Sequence, residues 1–125
     1  MILDTNAVSA WRDGDIGLLG VIGAAGVLVL PVISLGEYLY GIRNSARRPE
    51  NQAWLNQIVR ALRIAPVTVE TAGAYASVRS MLNRKGRPIP ANDMWIAALA
   101  LQHRLPLLSR DSHFDNVDGL TRVGW

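Results

Sequence analysis

Four of the ten acidic residues in this 125-residue sequence stand where a carboxylate is costly unless something holds it. Asp4 closes the apolar run Met1-Ile2-Leu3, and Asp111 stands three residues beyond a second apolar run at 105–108. Glu37 falls in the first turn of a helix that begins near Ser34. Asp93 opens another helix that is apolar almost all round. If both runs are parallel strands, Asp4 and Asp111 project from the carboxyl ends of one sheet, where open α/β sheets place their sites. Four negative charges gathered there repel one another unless a cation neutralises them. There is no cysteine, and the two histidines, His103 and His113, are ten residues apart, which is no local zinc motif. Oxygen ligands select Mg2+ or Mn2+ over zinc. A hard cation of that kind can acidify a bound water, which is the chemistry of phosphodiester hydrolysis.

Each acid also has a purely structural reading. Asp4 or Thr5 can cap the segment that follows. Ser34-Leu35-Gly36-Glu37 has the pattern of a capping box. Asn92 suits a helix N-cap, with Asp93 favourable beside it at the positive end of the helix dipole. Asp111 can cap a short turn containing His113 and Phe114. It is the grouping of all four, rather than any one of them, that points to a metal.

The elements that must position these residues follow from periodicity. Residues 1–3 and 27–30 read as buried strands, 64–67 as a weak strand, 105–108 as a fourth, and 120–123 as an edge strand. Helices are expected from Asn6 to about Trp11, over about 15–25, and from Ser34 with Leu35, Leu39 and Ile42 on one side. Pro49 fits the first turn of the next, whose stripe is Trp54, Leu55, Ile58 and Leu62. Helix 71–83 turns Ala72, Tyr75, Ala76, Val78 and Leu82 inward, and helix 92–102 lies buried at the centre. Strands alternating with helices imply one α/β domain over residues 1–125, a parallel sheet sandwiched between helices.

Composition narrows the classes. The net charge is +3 and the sequence pI about 10.0. Arg43, Arg47, Arg48, Arg60 and Arg63 are opposed only by Glu50, and Arg79, Arg84, Lys85 and Arg87 by no acid. Such clusters either contact phosphates or simply keep a helix face solvated. Residues 16–36 carry no charge, but five glycines and Pro31 break the stretch into a helix, a strand and a helix start, so no membrane span is expected. Asp4 sits where a secretory signal would be basic. The absence of cysteine suits a reducing compartment, and a cytoplasmic location is expected. Trp54 and Trp95 fall on apolar helix faces and read as core; Trp11 and Trp125 are left open between core and interface.

Four blocks in order resemble the PIN-domain family. Met1-Ile2-Leu3-Asp4-Thr5-Asn6 is similar to its opening, Ile33-Ser34-Leu35-Gly36-Glu37 to its second block, and Ala91-Asn92-Asp93-Met94-Trp95-Ile96-Ala97-Ala98 to its third. Leu108-Ser109-Arg110-Asp111-Ser112-His113-Phe114 resembles its fourth, and the ending, Asp118 to Trp125, resembles the tail of VapC-type toxins. The resemblance implies a PIN fold and an Mg2+- or Mn2+-dependent endoribonuclease that cuts structured RNA such as tRNA. It also implies the toxin role in a type II toxin–antitoxin pair, homodimers, and a VapB-type antitoxin that blocks the acidic pocket.

Carried over, Asp4, Glu37, Asp93 and Asp111 become the catalytic acids. Asp4, Asp93 and Asp111 hold metal, and Glu37 completes the ring. Thr5, Asn6, Ser34 and Ser109 become polar supports or substrate-facing groups, with Ser109 standing where the family more often has threonine. Asp115 is a rival to Asp111 for the fourth acid. His113, with Phe114, is read as shaping the turn rather than as an acid or base. Arg43, Arg47, Arg48, Arg84, Lys85 and Arg87 are the candidates to follow an RNA backbone. Two readings compete: a PIN nuclease of RNA processing outside any toxin pair, and a non-catalytic binding module acting with a DNA-binding partner. A phosphotransfer receiver or phosphatase is disfavoured, since the only lysine is Lys85.

Overall fold

The computed structural model describes residues 1–125. Its five parallel strands are β1 (Ile2–Leu3), β2 (Val29–Pro31), β3 (Arg63–Ala65), β4 (Leu107–Leu108) and β5 (Arg122–Val123). They lie in the order β3-β2-β1-β4-β5. Six helices cover the sheet: α1 (Thr5–Arg12), α2 (Ile16–Ala24), α3 (Val32–Arg43), α4 (Arg48–Val59), α5 (Val69–Lys85) and α6 (Ala91–His103). A short 3-10 turn spans Ser112–Asn116.

The short apolar runs become strands because both faces of the sheet are covered. Successive side chains alternate between faces. Ile2, Val29 and Leu107 enter one core, with Val78 and Leu82 of α5, Ile96 and Leu99 of α6, and Phe114. Their neighbours Leu3, Leu30 and Leu108 enter the other, with Ala7 and Val8 of α1, Leu18 of α2, Tyr38 and Ile42 of α3, and Leu55 of α4. Trp11, Trp54 and Trp125 also pack into this second core. Trp95 instead stacks on Tyr75, with ring centroids 4.0 Å apart.

Several expected boundaries move. β2 begins at Val29, and Val27 is 62 % exposed. α3 leaves the strand directly at Val32, so no capping box forms at Ser34: the helix carries no side-chain cap, and the Ser34 hydroxyl is buried without a partner. α6 starts at Ala91 with Pro90 in the cap position, which leaves Asn92 inside the helix. α5 is longer at both ends. The Thr68 backbone N–H donates to Thr71 Oγ1 at 2.9 Å, and Gly86 ends the helix in the left-handed region at φ +63°. Its inward stripe is Thr71, Tyr75, Val78 and Leu82, while Ala72 and Ala76 face solvent. The uncharged stretch 16–36 resolves into α2, β2 and the start of α3, and no helix is long and apolar enough to cross a membrane.

Candidate metal centre

The chain runs β1 to β2 to β3 on one side of the sheet, then crosses to β4 and β5 on the other. The order therefore reverses between β1 and β4, and a crevice opens there beyond the strand ends. Leu3 pairs with Leu108 in the β1–β4 register, which sets Asp4 beside Ser109. Asp4, Glu37, Asp93 and Asp111 all line one cleft of about 630 Å3 at this point, together with Thr5, Asn6, Ser9 and Asn92.

Asp4 is 3 % exposed. Its Oδ1 accepts the Thr5 backbone N–H at 2.8 Å, capping α1, and its Oδ2 accepts the Ser109 hydroxyl at 2.6 Å. The capping role and the site role thus belong to one carboxylate. Asn6 holds the other side: its Nδ2 donates to Asp111 Oδ2 at 3.2 Å and to Ser109 Oγ at 3.3 Å, and its Oδ1 accepts the Arg110 N–H at 3.4 Å. Ser109 Oγ also accepts the Asp111 N–H at 3.0 Å, fixing the exposed Asp111 at the rim. Across the cleft, Glu37 Oε1 accepts the Thr5 hydroxyl at 3.3 Å. Asp93 Oδ2 lies 3.0 Å from His113 Nε2.

Three of these acids are poised to resist ionisation. Burial pushes the Asp4 carboxyl up, opposed by its bonds from Ser109 and Thr5 and reinforced by the charge of Asp111. Burial also raises Glu37, with the Asp93 charge adding to it. Asp93 is raised by burial and then by Asp4, with His113 pulling the other way. Three carboxylates displaced in one direction by burial and by one another are a site short of positive charge.

The donor set suits a divalent cation. Oxygen donors dominate, and ligating atoms of Asp93, Asp111 and His113 all lie within 4.8 Å of one another. The Nε2 of His113 is sealed from solvent, and its contact with Asp93 is not aligned as a hydrogen bond.

Some residues expected at the site lie elsewhere. Asp115 pairs with Arg122, Nε to Oδ1 at 2.8 Å and Nη2 to Oδ2 at 3.0 Å, and Arg122 holds its carboxyl below the usual range. It faces away from the cleft, so Asp111 is the acid that joins the other three. Arg122 Nη1 in turn donates to the Ser109 carbonyl at 3.0 Å, bracing the strand end beneath the site. Ser34 does not reach the cleft; the early start of α3 carries it into the interior. Lys85 is occupied, donating to the Asn116 carbonyl at 2.9 Å and pairing with Asp118. Arg43, Arg47, Arg48, Arg84 and Arg87 are exposed, and none lines the acidic cleft. Arg47 instead borders a polar hollow with Arg12 and Ser45, which the acids Asp13 and Glu50 also line. A smaller hollow shares Thr5, Ser9 and Glu37 with the cleft and Arg12 and Ser45 with that hollow.

Sequence reasoning passed over Ser9, gave Asn92 only a capping role, and did not place His113 beside Asp93. Ser9 was findable, since it follows Thr5 by one helical turn and shares its face. His113 was not: two residues after Asp111 in a turn, its direction depends on the 3-10 geometry.

The PIN-domain pattern matches residues 1–120. The chain belongs to the PIN-domain family. Within it, this PIN domain is 32% identical over 95 residues to Ribonuclease VapC5 of Mycobacterium tuberculosis, covering 74% of this chain and 70% of that protein. It is 26% identical over 129 residues to Ribonuclease VapC2 of Rickettsia felis, covering 99% and 96%. A solved structure, VapBC2 from Rickettsia felis bound to a DNA fragment from their promoter, matches with a TM-score of 0.88 at 25% identity, over 99% of this chain and 97% of that one. The five-stranded parallel fold expected from the sequence is thus the fold of VapC PIN domains.

Proposed function

We propose that this PIN domain, residues 1–125, is the toxin of a type II toxin–antitoxin pair, a divalent-metal-dependent endoribonuclease. The observation that carries the reading is the convergence of Asp4, Glu37, Asp93 and Asp111 in one cleft at the sheet's switch point. Asp4, Asp93 and Asp111 hold Mg2+ or Mn2+, with Glu37 completing the ring. When bound, the metal supplies an acidified water and positive charge for the scissile phosphodiester. The chain's own part is to fix the acids: Ser109 and the Thr5 amide hold Asp4, Asn6 holds Asp111, and Thr5 holds Glu37.

The ribonuclease names of the curated relatives support the activity, and the VapBC complex supports a VapB-type antitoxin as partner. The antitoxin occupies the cleft and blocks it. Structured RNA such as tRNA is the substrate class. Its backbone passes from the cleft along the Arg12 hollow to Arg47, beside Arg43 and Arg48. Exposed apolar side chains, with Ile16 86 % and Tyr40 72 % exposed, support partner surfaces, including a homodimer. The site of action is the cytoplasm.

The test is incubation of antitoxin-free protein with total tRNA in Mg2+, Mn2+ or EDTA. Discrete fragments with 5′-phosphate and 3′-hydroxyl ends are expected in either metal and none in EDTA. If folded, metal-loaded protein leaves both tRNA and total RNA intact, the non-catalytic binding module replaces the nuclease.

A further inference from the structure

We infer that His113 ligates the same cation as Asp93 and Asp111, giving the centre a nitrogen donor that favours Mn2+ over Mg2+. The inference rests on the metal-dependent reading above and extends it to a residue outside the ring of acids.

The contact between His113 and Asp93 carries the argument. Nε2 and Oδ2 are 3.0 Å apart, the distance of a good hydrogen bond. Yet the ring is not aligned to make a good one: Nε2 is cut off from solvent, and its close polar contact, the Asp93 carboxylate, lies off the hydrogen-bond direction. A buried ring nitrogen without a well-aligned hydrogen bond is costly. Two adjacent ligands of one ion, by contrast, need separation and not mutual alignment. In an octahedron with bonds of about 2.1 Å, neighbouring ligand atoms stand about 3.0 Å apart and opposite ones about 4.2 Å. The ligating atoms of Asp93, Asp111 and His113 are grouped on that scale, all within 4.8 Å of one another.

The ring is also held in place. It leans on Phe114, with centroids 4.7 Å apart and planes at 57°, and Phe114 is fully buried. Asp111 is steadied from the other side by Asn6 and Ser109. Imidazole suits transition dications, whereas Mg2+ prefers oxygen ligands. A mixed set therefore discriminates where four carboxylates alone do not.

The chain offers an unambiguous assignment, because it contains only two histidines. His103 closes α6 while Asp93 lies in its first turn, about 15 Å away along the axis. The experiment is pulsed EPR of the protein loaded with Mn2+. Wild type should show 14N modulation from a bound imidazole, His103→Gln should keep it, and His113→Gln should lose it. Calorimetry should show Mn2+ affinity falling about tenfold in His113→Gln, with Mg2+ affinity changing much less. Bound Mn2+ without 14N modulation in wild type overturns the proposal. If Mg2+-dependent RNA cleavage persists in that case, the nuclease reading stands without it. No Mn2+ binding overturns the proposal, and binding of neither Mn2+ nor Mg2+ overturns both.

Discussion

Asp4 has both oxygens engaged, one by a backbone N–H and one by a hydroxyl, and is still pushed toward its neutral form. That tension gives a signed prediction. A carboxyl whose folded pKa is raised above its unfolded value of about 3.9 stabilises the fold below that pH. The contribution is lost as pH rises through the folded value. In EDTA, Asp4→Asn should therefore gain stability on wild type as pH climbs from about 4 to 7, by about 1 kcal/mol or more in urea unfolding. Saturating Mg2+ should erase or reverse the difference, because the wild-type charge is then paired. A second residue-scale prediction separates the rivals for the fourth acid. Asp111→Asn should lower the RNA cleavage rate by at least about a hundredfold. Asp115→Asn, which loses only an exposed pair with Arg122, should stay within about threefold of wild type and cost less than about 1 kcal/mol.

Among the elements, legibility followed burial. The alternating assignments of Ile2 and Leu3, or Leu107 and Leu108, to opposite cores follow from continuous apolar runs in a sheet covered on both faces. Helix starts were harder to read. Ser34 and Asn92 are good caps by residue type, yet Pro31 and Pro90 take the cap positions, because each helix begins as soon as the preceding strand or loop ends. Local propensity yielded to connection geometry. In α5, the alanines at 72 and 76 looked like an inward stripe, but the buried face centres on Thr71, Val78 and Leu82, and Thr71 donates to Gln102 of α6 at 2.6 Å. A polar residue used for helix docking leaves no hydrophobic signal. Gly86 offers a clean test at this scale. A Cβ there meets nothing within 4 Å, so the cost of Gly86→Ala is backbone strain alone. It should destabilise by about 1 kcal/mol in thermal or urea unfolding, with cleavage unchanged at a temperature where both proteins are folded.

For the whole molecule, the four acids were legible because each is tied to an element end, and the switch point gathers element ends. The roles of the basic residues were less so. Charge clusters in the sequence carry no direction, and the fold spends Lys85 on its own loop while leaving the arginines at 43, 47 and 48 exposed. Those arginines should set the salt dependence of RNA binding. Replacing Arg47 and Arg48 by Gln should flatten the plot of log K against log salt by about 0.7 for each phosphate left without its cationic partner. Binding measured with a metal-free, non-cleaving protein keeps the two effects apart.

The central claim joins the acidic cleft to RNA cleavage through metal. It is tested most directly by the cleavage rate of Asp93→Asn beside wild type, in saturating Mg2+ and in saturating Mn2+. Both proteins should be confirmed as folded and freed of copurifying antitoxin. A fall of at least about a hundredfold in both metals is expected. A variant that cleaves within about tenfold of wild type would move the chemistry away from the four-carboxylate cleft and contradict the account.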